Sequence, residues 1–245
     1  MKKFMVMLAC LAVAACTGNS SDTATEDTAS TSAASSSGAA DCLISYANKG
    51  TLDQLLPLDA IRKHYNVPEG AEKQYDYRAE AEKHDKDSYE YTWDSDRTGK
   101  MNVAGREITY PLSNRIGLRW VGSDLFMITG KATPIESFKA FYRNVSAEEK
   151  AEAFKKAGER MKENGYDEKT TETATAIAKD FSAETITFKD IAGVGEAAAW
   201  RIREKELTVL VGKTTFQVSL DVSTNDEENI ALAIKIAQEV LSKCK

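Results

Sequence analysis

The chain has 245 residues, with 32 Lys and Arg against 38 Asp and Glu, and a formal net charge of −6. That balance, without a basic stripe interleaved with aromatics, argues against nucleic acid as a partner and against electrostatic docking on anionic lipid. Hydrophobic residues make up 42%, and the folded part, about 200 residues, can bury a substantial core. In chain order the first feature is the pair Lys2 and Lys3, followed by an uncharged apolar run from Phe4 to Ala15. A charged start and a short apolar stretch are the plan of a signal peptide, here residues 1–15. A bilayer core needs about 20 apolar residues, so the run is too short to span one.

The run closes on Val13-Ala14-Ala15-Cys16: a branched aliphatic residue, two small residues, then cysteine. This resembles the lipobox of bacterial lipoproteins. The resemblance implies a diacylglyceryl group on the Cys16 sulfur and cleavage that leaves Cys16 as an acylated N-terminus. Each buried methylene contributes on the order of 0.8 kcal/mol, so two or three chains hold without help from protein surface. Cys10 is a weaker cleavage candidate and leaves with the signal. Thr17 follows the cysteine, where an enteric inner-membrane protein carries Asp, so the outer membrane is favoured over the inner. The implied location is the cell envelope, with the folded part in the periplasm or outside the cell.

Residues 16–40 combine the lipidated cysteine with a Ser/Thr/Ala tail that has no aromatic and no large aliphatic side chain. Such a segment cannot offset its ordering entropy by burial and is expected to be a disordered linker, its ends roughly 25–30 Å apart. Residues 41–245 are expected to form a single globular domain, because no Pro/Gly-rich linker divides them. Cys42 and Cys244 lie at its two edges and are expected to form one disulfide in an oxidising envelope.

Thr51 to Tyr65 reads as helical, with Pro57 breaking it or starting its second half, and Val67-Pro68-Glu69-Gly70 ending it. Asp87 to Asp96 alternates Tyr89, Tyr91 and Trp93 with polar residues and reads as a strand; Arg97 to Gly105 reads as a loop or hairpin tip. Ile116 to Trp120 alternates again, and Leu125 to Thr129 is a short apolar strand. Pro134 to Arg143 is a helix. Ser146 and Glu149 form a capping box for another helix that runs to about Asn164, with Gly165 as its stop. Glu168 to Phe181 is a peripheral helix, and Thr185 to Phe188 a strand. Glu206–Val211 and Thr214–Val222 form a hairpin around Gly212-Lys213. Asp226 to Lys243 carries apolar residues at helical spacing. Strands beside strands and then helices predict an α+β fold: an antiparallel sheet packed with helices, ending in a β-hairpin and an amphipathic helix.

Motifs with chemical associations are few. Gly193-Val194-Gly195-Glu196-Ala197-Ala198 fits a dinucleotide turn, but a hairpin follows where a helix is needed. It reads as a tight turn before a strand. Gly212-Lys213-Thr214 resembles the tail of a phosphate loop without the first glycine or the helix. His64 and His84 are the only histidines and have no metal-ligand partner at helical spacing. The stripe Tyr89, Tyr91, Trp93 reads as core. No cofactor or metal is expected.

From Ile191 onward the chain is similar to a class of bacterial lipoproteins with small α+β domains, PsbP-like in broad outline. The residues that carry it are Gly193-Val194-Gly195-Glu196-Ala197, Trp200, Leu207-Thr208-Val209, Gly212-Lys213, Phe216 to Val222, and the helix from Asn229 to Leu241. Members of that class have no assigned catalysis, and the resemblance transfers no functional residue. The expected role is a non-enzymatic binding or interaction module anchored by Cys16, whose partners are the membrane and an envelope protein or a small apolar ligand. The alternative is a carrier or sensor of such a ligand, in a cavity lined by Trp93, Trp120 and Phe126. A second alternative is an envelope hydrolase built on His64 or His84 beside an acid and a hydroxyl.

Overall fold

A computed structural model describes residues 33–77, 86–103, 106–124, 132–185 and 187–245. Cys16 and its lipobox, His84, the strand expected over 125–129 and Phe126 lie outside the described residues. Contacts divide the chain into two compact units: Val145–Ser182 in one, and Ala29–Asn144 with Ala183–Lys245 in the other.

The larger unit begins with helix α1, Ala33–Asn48. A flexible tail was expected as far as Ala40, so the helix starts earlier than composition implies. Ala40, Leu43 and Ala47 are buried in the core, and that docking supplies what the Ala/Ser stretch lacks on its own. Pro57 does break the next segment. It is the N-cap between α2, Leu52–Leu55, and α3, Leu58–Arg62, because its ring fixes φ and it has no amide to give the preceding turn. Strand β1, Glu72–Asp76, was not anticipated; its mostly exposed residues show no alternation.

Strands β2, Ser88–Val103, and β3, Arg106–Asp124, are 16 and 19 residues long. The stretch from Arg97 to Val103, expected as a loop or tip, continues β2 as strand. Helix α4, Pro134–Phe141, follows a capping box of Thr133 and Glu136 with Pro134 in the first turn. Strand β4, Phe188–Ile191, lies past the Thr185–Phe188 strand of the sequence reading, since Thr185 still belongs to a helix. Then come β5, Ala197–Arg201, β6, Glu206–Val211, β7, Thr214–Asp221, and helix α7, Asp226–Ser242. The molecule is α+β, and it ends with the predicted hairpin and helix.

The seven strands among the described residues all pair antiparallel, in the order β1-β2-β3-β7-β6-β5-β4. Two meanders are therefore joined where β3 meets β7. Period-two alternation sorts the side chains. Tyr89, Leu118, Val218, Leu207 and Trp200 share one face and the main core. α1 lies against β3 and β6 on that side, and α7 against β7 and β6. Ala199, Leu210 and Phe188 belong to a second cluster, capped by Phe138 and Tyr142 of the α4 segment. β6 is buried along its whole length because both faces are covered.

The smaller unit holds α5, Ala147–Glu163, and helical residues of α6, Glu168–Thr185. The Ser146–Glu149 capping box is present as predicted, and Gly165 takes φ +84° just past the helix end. Gly158 of α5 lies against Thr171 and Thr175 of α6.

Candidate functional site

The β2–β3 hairpin outruns the sheet. β1 pairs with β2 only as far as Thr92, and β7 pairs with β3 only from Arg115 onward. Thr98–Val103 and Arg106–Pro111 pair with each other alone among the described residues. A two-stranded ribbon of this kind is marginal in water by itself. Its base is pinned by the Arg97 guanidinium, which pairs with the Asp221 carboxylate and donates to Ser113 O at 3.0 Å and Asp221 O at 2.8 Å. The register shifts between Asp94 and Thr98, a bulge that re-aims the strand, and Arg97 lies inside it.

Gly99 pairs with Tyr110 and Met101 with Ile108, so these four residues share one face of the arm. Met101, Ile108 and Tyr110 are exposed by 47%, 45% and 37%. The Tyr110 ring covers Gly99 so closely that a Cβ there would lie 2.6 Å from it. The opposite face is polar and carries the Lys100–Glu107 pair at 2.9 Å.

Where β1 stops and β2 runs on, an open crevice of about 410 Å³ is lined by Pro68, Gly70 and Glu72 on one side and by Thr92, Trp93, Asp94 and Ser113 on the other. Trp93 is half-buried and lies 5.9 Å from Tyr65, ring to ring. Tyr89 and Tyr91 are buried, so that stripe is core up to Trp93, which also reaches the crevice. Burial pushes the Tyr75 hydroxyl up to about 12 and raises Tyr89 as well. Neither phenol ionises near neutral pH.

Cys42 and Cys244 are joined, with 5.5 Å between their Cα atoms and a sequence separation of 202. His64 meets a carboxylate: Nε2 lies 2.9 Å from Glu239 Oε1, and Lys63 Nζ reaches Oε2 at 3.2 Å. This pins α3 to α7. The hydrogen bond from His64, and then that from Lys63, hold the Glu239 carboxyl below its ordinary value.

Trp93 and Trp120 do not line one cavity. Trp93 stands opposite Asn114, six residues from Trp120 along β3 and so about 20 Å away. Trp120 is 40% exposed and has φ +51°, in a second register shift between Arg119 and Ser123. The two nucleotide-like turns meet at one end of the sheet, where the Gly212 amide donates to Glu196 Oε1 at 2.7 Å. A carboxylate thus holds an amide that a phosphate cradle would need free. Gly193 and Gly195 both have positive φ, as the tight-turn reading requires.

Sequence reasoning missed a polar cluster on the face under α4. Arg119 pairs with Glu206. The Tyr142 hydroxyl bonds Thr208 and Gln217, and burial raises its pKa despite those bonds. Thr208, Gln217 and Glu206 are all buried. Their alternation with Leu207, Val209, Phe216 and Val218 reads as an exposed face; only the helix above it changes that. Among the described residues no group of three or more His, Cys, Asp and Glu side chains could hold a metal, and no helix is long and apolar enough to cross a membrane. No family model matches the chain, and neither a curated protein nor a solved structure is detectably similar to it.

Proposed function

We propose that this protein is a non-enzymatic interaction module held on a cell-envelope membrane by lipid on Cys16, its folded part in the periplasm or outside. The observation that carries the reading is the Cys42–Cys244 bond. Disulfides persist in oxidising compartments, and an exported lipoprotein occupies one. The lipobox-like Val13-Ala14-Ala15-Cys16 supplies the route and the tether. The β2–β3 arm supplies a surface: an apolar face on a ribbon whose base is fixed by Arg97.

Cys16→Ser tests the anchor. The expected outcome is transfer of the protein from the membrane fraction to the soluble envelope fraction, with an intact mass that lacks the acyl chains carried by the parent. Equal membrane retention of the variant would refute lipid anchoring.

A further inference from the structure

The arm has open backbone as well as open side chains. Antiparallel partners alternate between pairs that exchange both hydrogen bonds and pairs that exchange none. Thr98 stands opposite Pro111, and proline has no amide to exchange. That pair is therefore of the second kind, and the N–H and C=O of Thr98 point away from β3. By the two-residue period the same holds for Lys100 and Asn102, while Gly99 and Met101 face β3. β1 ends its pairing at Thr92, so among the described residues nothing pairs with this edge. At its root lies the crevice whose lining includes the exposed carboxylates of Glu72 and Asp94.

We propose that the outer edge of β2 captures an extended peptide segment by strand addition. The segment is basic and apolar in alternation. Its backbone pairs with Thr98, Lys100 and Asn102. Its apolar side chains continue the Met101, Ile108 and Tyr110 face, and a basic side chain reaches Glu72 and Asp94 in the crevice. Strand addition gives affinity through main-chain hydrogen bonds and selectivity through alternate side chains, and the two carboxylates select against an acidic segment. The proposal rests on the interaction-module reading but not on the lipid at Cys16.

The test uses the full protein in detergent and an eight-residue peptide that alternates Lys and Val. Residue-resolved hydrogen exchange should slow at the amides of Thr98, Lys100 and Asn102, with Gly99 and Met101 little changed. The same peptide with alternate amides N-methylated, and an alternating Glu–Val peptide, should each bind at least about tenfold more weakly. Lys100→Pro removes one outward amide without touching the β2–β3 ladder and should lower affinity by a similar factor, whereas Lys100→Ala should not. Unchanged exchange at those three amides overturns the proposal, and that measurement needs no variant to fold. Slowed exchange confined to another surface discards strand addition and leaves the interaction module standing. No slowing anywhere counts against both.

Discussion

Gly195 shows how one residue decides a turn. Its φ is +62°, and a Cβ built there would lie 2.4 Å from Val209 Cγ1 and 2.6 Å from Leu210 O. Backbone preference and space both demand glycine. The Glu196 amide donates to Leu210 O at 3.0 Å, and the Glu196 carboxylate takes the Gly212 amide, so the turn is stitched to β6 and to the next hairpin. Gly195→Ala is expected to cost about 2–3 kcal/mol. In thermal unfolding that is a fall of roughly 4–12 °C for a domain of this size. A melting point within a degree of the parent would show that the turn relaxes freely. Asn229 is a quieter case. It is fully buried, accepts from the amides of Val222 and Ser223, and returns a bond to Ser223 O. It satisfies a bend between strand and helix that would otherwise bury unpaired backbone.

At the scale of elements, charge and caps settle how the helices meet the sheet. Asn225 caps α7, and three acids occupy its first turn, where they complement the helix dipole. Two of them also pair with lysines, Asp226 with Lys205 in the turn between β5 and β6 and Glu227 with Lys189 of β4. The other end of α7 is held to α3 by Glu239. Its carboxyl is held below the ordinary value of 4.5, first by His64 and then by Lys63. A depressed carboxyl adds stability that is present above the unfolded value and lost as pH falls through the folded one. Glu239→Gln should therefore be less stable than the parent by about 0.5–1 kcal/mol at pH 7. The gap should close as the pH is lowered past 4.5. Denaturant unfolding at both pH values checks this; a gap that stays constant would mean the carboxylate's charge is irrelevant.

For the whole molecule, the Cys42–Cys244 bond ties α1 to the residues just after α7. These two helices cover the same side of the central strands, so the bond closes the helical layer over the core. Closing a loop of this length gives about 5 kcal/mol in the chain-entropy model, and measured losses are usually 2–4 kcal/mol. Cys42→Ser with Cys244→Ser should lower stability by the smaller figure while keeping the fold, since both helices retain their apolar contacts. Equal denaturant midpoints for the variant and the oxidised parent would remove the bond from the stability account. The long hairpin belongs to this scale as well. It projects past the pairing of both neighbours, β1 and β7.

Five features were legible in advance: the Ser146 capping box, the Gly212-Lys213 hairpin, the stripe of α7, the aromatic face of β2 and the pairing of the two cysteines. Each is a local pattern whose physics acts within a few residues, except the cysteines, which were two thiols left to find each other. β1 was not legible, because an exposed strand without alternation carries no periodic signal; the tip of β2 does alternate, Met101 and Val103 against Thr98, Lys100 and Asn102, but its glycine and polar residues read as a turn and only pairing with β3 makes it strand. The early start of α1 was hidden for the same reason, its stability coming from a core assembled later in the chain. By itself the sequence determined the class of fold, the terminal hairpin and helix, and the residues able to bond as a disulfide. Only the tertiary structure decided which polar face is buried, that Trp93 and Trp120 stand apart, and that among the described residues β2 has an unpaired edge, because burial and strand pairing depend on residues that are distant along the chain.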